Sequence, residues 1–197
     1  MRKKMYVLFD CEFQKSKVYN VSGIVVDKQG NIYEQFNFLI KENIPLVTKN
    51  KKVLYFNDFC FKELKIVDFN FFYEYFKNLQ NKFNIFKYIS YNVAVDYNAL
   101  NKTSLEILHK PFINRNLFSC LQKLTKQTIY LQKGYSKFCV DNNYLTSTGK
   151  LSLKAENIYR YITLNTNFNQ EHIALSDVII EQQIFNKVLR QHKALTY

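Results

Sequence analysis

The stretch Met5-Tyr6-Val7-Leu8-Phe9-Asp10-Cys11-Glu12-Phe13 decides the fold of this 197-residue chain. Its first five residues are a continuous apolar run, the pattern of a strand covered on both faces. The run ends in an acidic pair. Residues two apart in a strand project to the same face, so Asp10 and Glu12 point together while Cys11 points away. Adjacent carboxylates repel each other, and each is costly to bury without a partner. A bound divalent cation removes both penalties, whereas an isolated Asp-x-Glu at a strand end serves equally well as a polar exit into a loop.

Outward from this strand, Val18 to Val26 is a second β-rich stretch, Lys28-Gln29-Gly30-Asn31 carries turn chemistry, and Ile32 to Ile40 resumes partial alternation. The chain therefore opens with three antiparallel strands. Lys41 to Lys52 is polar and Lys-rich, a surface loop. Asp68 is placed as an N-cap, and Phe69 to Phe83 sets Phe72, Tyr75, Phe76 and Leu79 at helical spacing. Ile85 to Ser90 returns to strand character, a helix runs from about Val95 to Leu108 before Pro111, and Ile113 to Phe118 is a last short strand. Further helices are expected near Ser136 to Val140, Leu153 to Ile162 and Ala174 to Leu189, with Tyr144 to Lys150 a loop. Strands first, then strands alternating with helices, predict an α/β fold with a mixed five-stranded sheet flanked by helices, in one domain over residues 1–197.

The bulk composition suits such a domain. Hydrophobic residues make up 47% and aromatic residues 17%, against four Gly and two Pro, which is the material for a large core. The formal net charge of +12 favours a polyanionic partner, nucleic acid or an acidic membrane surface, although a Lys- and Asn-rich chain also fits an AT-rich genome. Cys11, Cys60, Cys120 and Cys139 are widely spaced with no C-x-x-C pair, which argues against a zinc site or a disulfide framework. The apolar run after Met1-Arg2-Lys3-Lys4 is too short for a signal segment, and no stretch approaches the roughly 20 apolar residues of a membrane span. A cytoplasmic protein with reduced thiols and no membrane partner is expected.

Two more acidic elements carry chemistry. In Tyr88-Ile89-Ser90-Tyr91-Asn92-Val93-Ala94-Val95-Asp96, a strand leads into the first turn of a helix, where the helix dipole by itself favours Asp96. Asn92 either caps that helix or touches substrate. In Glu171-His172-Ile173-Ala174-Leu175-Ser176-Asp177, His172 lies five positions before Asp177. On one helix that spacing is about 140° off a common face, so both serve one site only if His172 precedes the helix that carries Asp177. His109 and His192, beside Lys110 and Lys193, read as surface residues.

Taken in order, Asp10 with Glu12, Asn92 with Asp96, and His172 with Asp177 resemble the three motifs of the DEDDh-type 3′-to-5′ exonucleases. That family includes the proofreading subunit of DNA polymerase III, ribonuclease T and oligoribonuclease, and the resemblance runs from about Tyr6 to about Phe185. It implies a ribonuclease-H-like fold and hydrolysis with two divalent ions, Mg²⁺ or Mn²⁺. Asp10, Glu12 and Asp177 would hold one ion, Asp10 with Asp96 would help hold the second, and His172 would be the general base. Phe13 would wedge against the terminal bases, with an ordinary core role the alternative. Lys15, Lys17, Lys102, Lys133 and Lys137 are candidates for a backbone track. The expected substrate is the 3′ end of single-stranded DNA. The same chemistry on RNA, or an inactive nucleic-acid-binding or polymerase-associated module, are the alternatives, and oligomeric state stays open.

Overall fold

The computed structural model describes residues 3–47, 64–170, 174–191 and 195. In chain order the elements are β1 (Met5–Gln14), β2 (Lys17–Asp27), β3 (Ile32–Ile40), α1 (Ile44–Val47), β4 (Lys65–Val67), α2 (Phe69–Phe83), β5 (Ile85–Ser90), α3 (Val93–Leu108), β6 (Phe118–Cys120), α4 (Leu121–Gln127), α5 (Lys133–Asp141), α6 (Ala155–Thr163) and α7 (Ala174–Leu189). The sheet order is β4-β3-β2-β1-β5-β6.

β1 lies inside the sheet because its sequence offers apolar side chains to both faces. Met5, Val7, Phe9 and Cys11 enter one core, while Tyr6 and Leu8 enter the other, as period-2 alternation requires. β1 pairs antiparallel with β2 and β2 antiparallel with β3, the expected opening. The turn between β2 and β3 is held by Asp27, whose Oδ1 accepts the Gln29 and Asn31 N–H groups at 2.8 and 3.0 Å. Close approach across β1, β2 and β3 is possible because residue 23 is Gly. A Cβ there would stand 2.3 Å from Phe36 Cζ and 2.9 Å from the Leu8 carbonyl oxygen.

On the other side of β1, β5 and then β6 add in parallel. Parallel neighbours need crossovers, and helices supply them on both faces. α2 and α3 cover the Val7 and Phe9 face through Phe69, Phe72, Phe76, Leu79, Ala99 and Leu100. α4, α5, α6 and α7 cover the Tyr6 and Leu8 face, with Val178, Ile184, Phe185 and Val188 of α7 at its centre.

The expected fold class holds, and the sheet gains a strand. β4 pairs parallel with β3 at the edge, making six strands rather than five. Three residues with Lys65 and Ile66 exposed give no alternation to detect. The last strand also sits later than expected. Arg115–Leu117 is a 3₁₀ turn, capped by Asn114 Oδ1 accepting from Asn116 N–H at 3.0 Å, and the strand begins at Phe118. α4 was not foreseen. Leu121, Leu124 and Thr125 are its buried i, i+3, i+4 face, but seven residues give too short a window to stand out. The Asp68 cap is as expected, accepting from Phe71 N–H at 2.6 Å.

Candidate active site

The end of β1 brings the acidic pair to the open edge of the fold. Asp10 lies opposite Ser22 and Glu12 opposite Asn20 on β2, and the register then shifts between Glu12 and Phe13. Such bulges twist a strand and re-aim its side chains. Asp10 and Glu12 share the parity of Tyr6 and Leu8, so they project on the face that α7 covers. α7 answers with Asp177 in its first turn. Asp10, Glu12 and Asp177 bring one carboxylate oxygen each within 4.8 Å of one another. Asp96, in the first turn of α3, is 6% exposed, and its Oδ2 accepts from Ser90 Oγ at 2.7 Å. All four acids line a cleft of about 930 Å³.

Burial and mutual repulsion dominate the electrostatics. Burial first, then the charges of Asp96, Asp177 and Glu12, hold the Asp10 carboxyl well above its ordinary range, against the Cys11 N–H, which favours the anion. Burial lifts Asp96 to about 6 despite the Ser90 hydroxyl. The Cys11 thiol is pushed up by burial and then by the charges of Asp96, Asp10, Glu12 and Glu181, so it stays protonated. Among the described residues, neither Asp10 nor Asp96 has a cationic side chain as partner. Hard carboxylate oxygens converging from Asp10, Glu12 and Asp177 fit a divalent cation such as Mg²⁺ or Mn²⁺.

The raised pKa values set a pH dependence. An acid whose pKa is higher folded than unfolded stabilises the fold below its unfolded value, near ~4 for Asp, and loses that contribution as pH rises through the folded value. For Asp96 that window ends at about 6. Metal-free protein is therefore expected to melt at a lower temperature at about pH 7.5 than at about pH 5, with saturating Mn²⁺ reducing the difference. Thermal melts with and without Mn²⁺ check this, and a metal-free melting temperature that does not fall over that range counts against a repelling buried cluster.

Of the remaining expected residues, Phe13 is partly buried against the core that holds Val7 and Phe9 and also lines the cleft. Asn92 occupies the N-cap position of α3 and lines the cleft, but its side chain makes no capping hydrogen bond. The capping role is thus corrected. His172 and His192 lie outside the described residues. His109 is exposed, as expected. None of Lys15, Lys17, Lys102, Lys133 and Lys137 lines the cleft, and Lys17 instead pairs with Glu106. The exposed Lys154 does line it.

Glu181 and Tyr91 escaped the sequence reading. Glu181 lies one helical turn beyond Asp177, is 3% exposed and lines the cleft. Its signal is a charge on the apolar stripe of α7 that includes Val178, Ile184 and Val188. Tyr91 joins the walls, donating its hydroxyl to the Leu153 carbonyl at 2.6 Å while its own carbonyl accepts from Gln122 N–H at 3.1 Å. The segment Tyr144 to Lys150 lies beside the site, as expected of it, and is closed by a bridge between Leu145 and Leu151 and turned at Gly149, where φ is +73°. It sets Leu145, Thr146 and Ser147 along the cleft.

Elsewhere, Cys11, Cys120 and Cys139 are free thiols, and Cys60 lies outside the described residues. No helix among the described residues is long and apolar enough to cross a membrane.

No protein-family model matches the chain, and no curated protein does. Solved structures do. Exonuclease I of E. coli, in complex with a dA16 oligonucleotide, superposes with a TM-score of 0.61 at 14% identity, covering 96% of this chain and 41% of that one. A moderately thermophilic exonuclease I from Methylocaldum szegediense superposes with a TM-score of 0.57 at 16% identity, over 96% and 41% respectively. This chain spans about two fifths of the length of those enzymes. With its six-stranded mixed sheet between helices, it has the ribonuclease-H-like fold of exonuclease I.

Proposed function

We propose that this chain is a metal-dependent 3′-to-5′ exonuclease of the DEDDh type, removing nucleotides from the 3′ end of single-stranded DNA. One observation carries the reading. Asp10, Glu12 and Asp177, from two separate elements, bring carboxylate oxygens within 4.8 Å of one another in a cleft of a basic chain. A binding module has no use for such a cluster, because anions at its centre repel the phosphates it must hold. The likeness to exonuclease I, seen with an oligodeoxynucleotide in one of its structures, supports DNA over RNA.

Asp10, Glu12 and Asp177 would hold one Mg²⁺ or Mn²⁺, and Asp10 with Asp96 would help hold a second. Such ions, when bound, supply a nucleophile at neutral pH and neutralise charge on the departing oxygen. His172 is the general base that takes the proton of the attacking water, so activity rises with pH as its imidazole becomes neutral. The half-exposed Phe13 offers a face on which any terminal base can stack, which suits a nuclease without sequence preference. Asn92, Thr146, Ser147 and Lys154 present amide, hydroxyl and ammonium donors along the cleft, the groups that hold a sugar-phosphate backbone.

Single-stranded DNA and RNA of matched sequence, each labelled at the 3′ or the 5′ end, are the test. With Mn²⁺ or Mg²⁺ the 3′ label is expected to leave first as a mononucleotide, faster from DNA, and chelation should stop release. Faster release from RNA would make the chain an exoribonuclease. Binding of both strands with no metal-dependent release from either would make it a binding module.

A further inference from the structure

Four carboxylates account for the proposed cation centre, and the cleft contains two more, Glu156, which pairs with Arg160, and Glu181. Asp177 and Glu181 are i and i+4 on α7, so they lie on one face a turn apart. Two carboxylates in that relation destabilise a helix, and Glu181 occupies a stripe position that its neighbours fill with Ile and Val. It is 3% exposed, less than Asp177 at 8%. Its Oε1 accepts the Tyr91 N–H at 3.2 Å. Its Oε2 has no hydrogen-bond partner among the described residues, although it is buried. No cationic side chain reaches Glu181 among those residues either.

A buried carboxylate with one satisfied oxygen and one bare oxygen is costly, and a Leu or Gln at residue 181 would remove the buried charge. The side chain is also held in place rather than loosely buried. Tyr91, whose N–H fixes Oε1, is tied by its hydroxyl to Leu153 and by its carbonyl to Gln122, so Glu181 is anchored to the opposite wall of the cleft. The bare oxygen belongs to a residue that lines the cleft shared by Asp10, Glu12, Asp96 and Asp177. It stands outside the trio whose oxygens converge within 4.8 Å.

We propose that Glu181 is a positioning residue of the cation centre, its Oε2 serving as an outer-sphere acceptor for the hydrated divalent ion held by Asp10, Glu12 and Asp177. The inference rests on the metal-dependent reading of this cleft. Partners of this kind orient a cation's surroundings and add to its affinity, typically by 10 to 100-fold. The free oxygen and the absent counter-charge follow directly, since the ligand that satisfies both is the ion with its water.

Calorimetric titration of Mn²⁺ into metal-stripped full-length chain tests this for wild type, Glu181→Gln, Glu181→Asp and Asp10→Asn. Glu181→Gln keeps the side-chain volume and an oxygen for the Tyr91 N–H, while replacing the bare acceptor by a donor. It should weaken Mn²⁺ binding about 10 to 100-fold. The Mn²⁺ concentration needed for half-maximal nucleotide release should rise by the same factor, and the metal-free variant should melt at or above the wild-type temperature. A merely structural Glu181 would give the opposite pattern, a lower metal-free melting temperature with unchanged Mn²⁺ affinity, and that overturns the proposal. If Glu181→Gln does not fold, Glu181→Asp keeps the charge but draws the oxygens back, and wild-type affinity in that variant overturns the proposal equally. Binding that is intact in wild type, lost in Asp10→Asn and unchanged in Glu181→Gln removes Glu181 alone. No Mn²⁺ binding by wild type removes the metal-dependent reading, and this inference with it.

Discussion

Asp10→Asn is expected to lower metal-dependent release of a 3′-terminal nucleotide by on the order of 10³-fold, because metal-assisted charge stabilisation supplies several kcal/mol and each 1.36 kcal/mol is tenfold. Asp10 is the one acid that the reading assigns to both ions, and it belongs to the converging trio. The same substitution should raise the melting temperature of the metal-free protein. Asp10 is raised well above its ordinary pKa by burial and by three neighbouring carboxylates, so a neutral amide of the same shape relieves repulsion that only a cation would otherwise relieve. Rates from a 3′-labelled strand and melts of metal-stripped protein check the two halves together. A variant that cleaves like wild type would sink the assignment of Asp10, and one that is inactive but less stable would point to ordinary structural damage.

Phe76→Ala is expected to destabilise the fold by about 3–5 kcal/mol, as large-to-small changes at a filled aromatic site do. That is a large share of the roughly 5–15 kcal/mol that holds a typical domain folded. Phe76 is fully buried in the layer between α2 and the sheet. Its ring lies 4.7 Å from Tyr88, 5.4 Å from Phe72, 5.5 Å from Phe9 and 5.7 Å from Phe112, centre to centre. Little in such a knot can move inward to refill the space, so a cavity remains. Denaturant unfolding measures the loss, and a value below about 1 kcal/mol would mean the neighbouring rings collapse into the gap. Because Phe9 faces this layer while Asp10 faces the other, the folded fraction of the variant should bind Mn²⁺ as wild type does.

Much of the fold was legible where the pattern was local and periodic. The bounds of α2 and α7, at Phe69–Phe83 and Ala174–Leu189, follow from apolar spacing and, for α2, from the Asp68 cap. The bounds of β3 and β5 follow from strand character between turn residues. Elements of three to seven residues were missed or displaced. β4 lies in an edge position that asks nothing of its side chains, β6 starts after a 3₁₀ turn, and α4 offers barely two turns of face.

The candidate site divides along the same line. Asp10 and Glu12 could be set on one face from their spacing alone, and their convergence with Asp177 bears that out. The five lysines named as a backbone track could not be chosen well, since exposed Lys residues look alike until the cleft is located. Lys154 reaches it only because the hairpin from Tyr144 to Ser152 folds back on α5 and carries the chain to the cleft wall.

The sequence by itself determined that β1 is an inner strand with an acidic end. An apolar run can satisfy both faces only between covering layers, and period-2 geometry then aligns Asp10 with Glu12 whatever surrounds them. Only the tertiary structure decided that Glu181 belongs beside them. In the sequence it is one charge on the apolar stripe of a helix, and its place in the cleft depends on how α7 is rotated against β1, a matter settled by the packing of Val178, Ile184 and Phe185 against Tyr6 and Leu8.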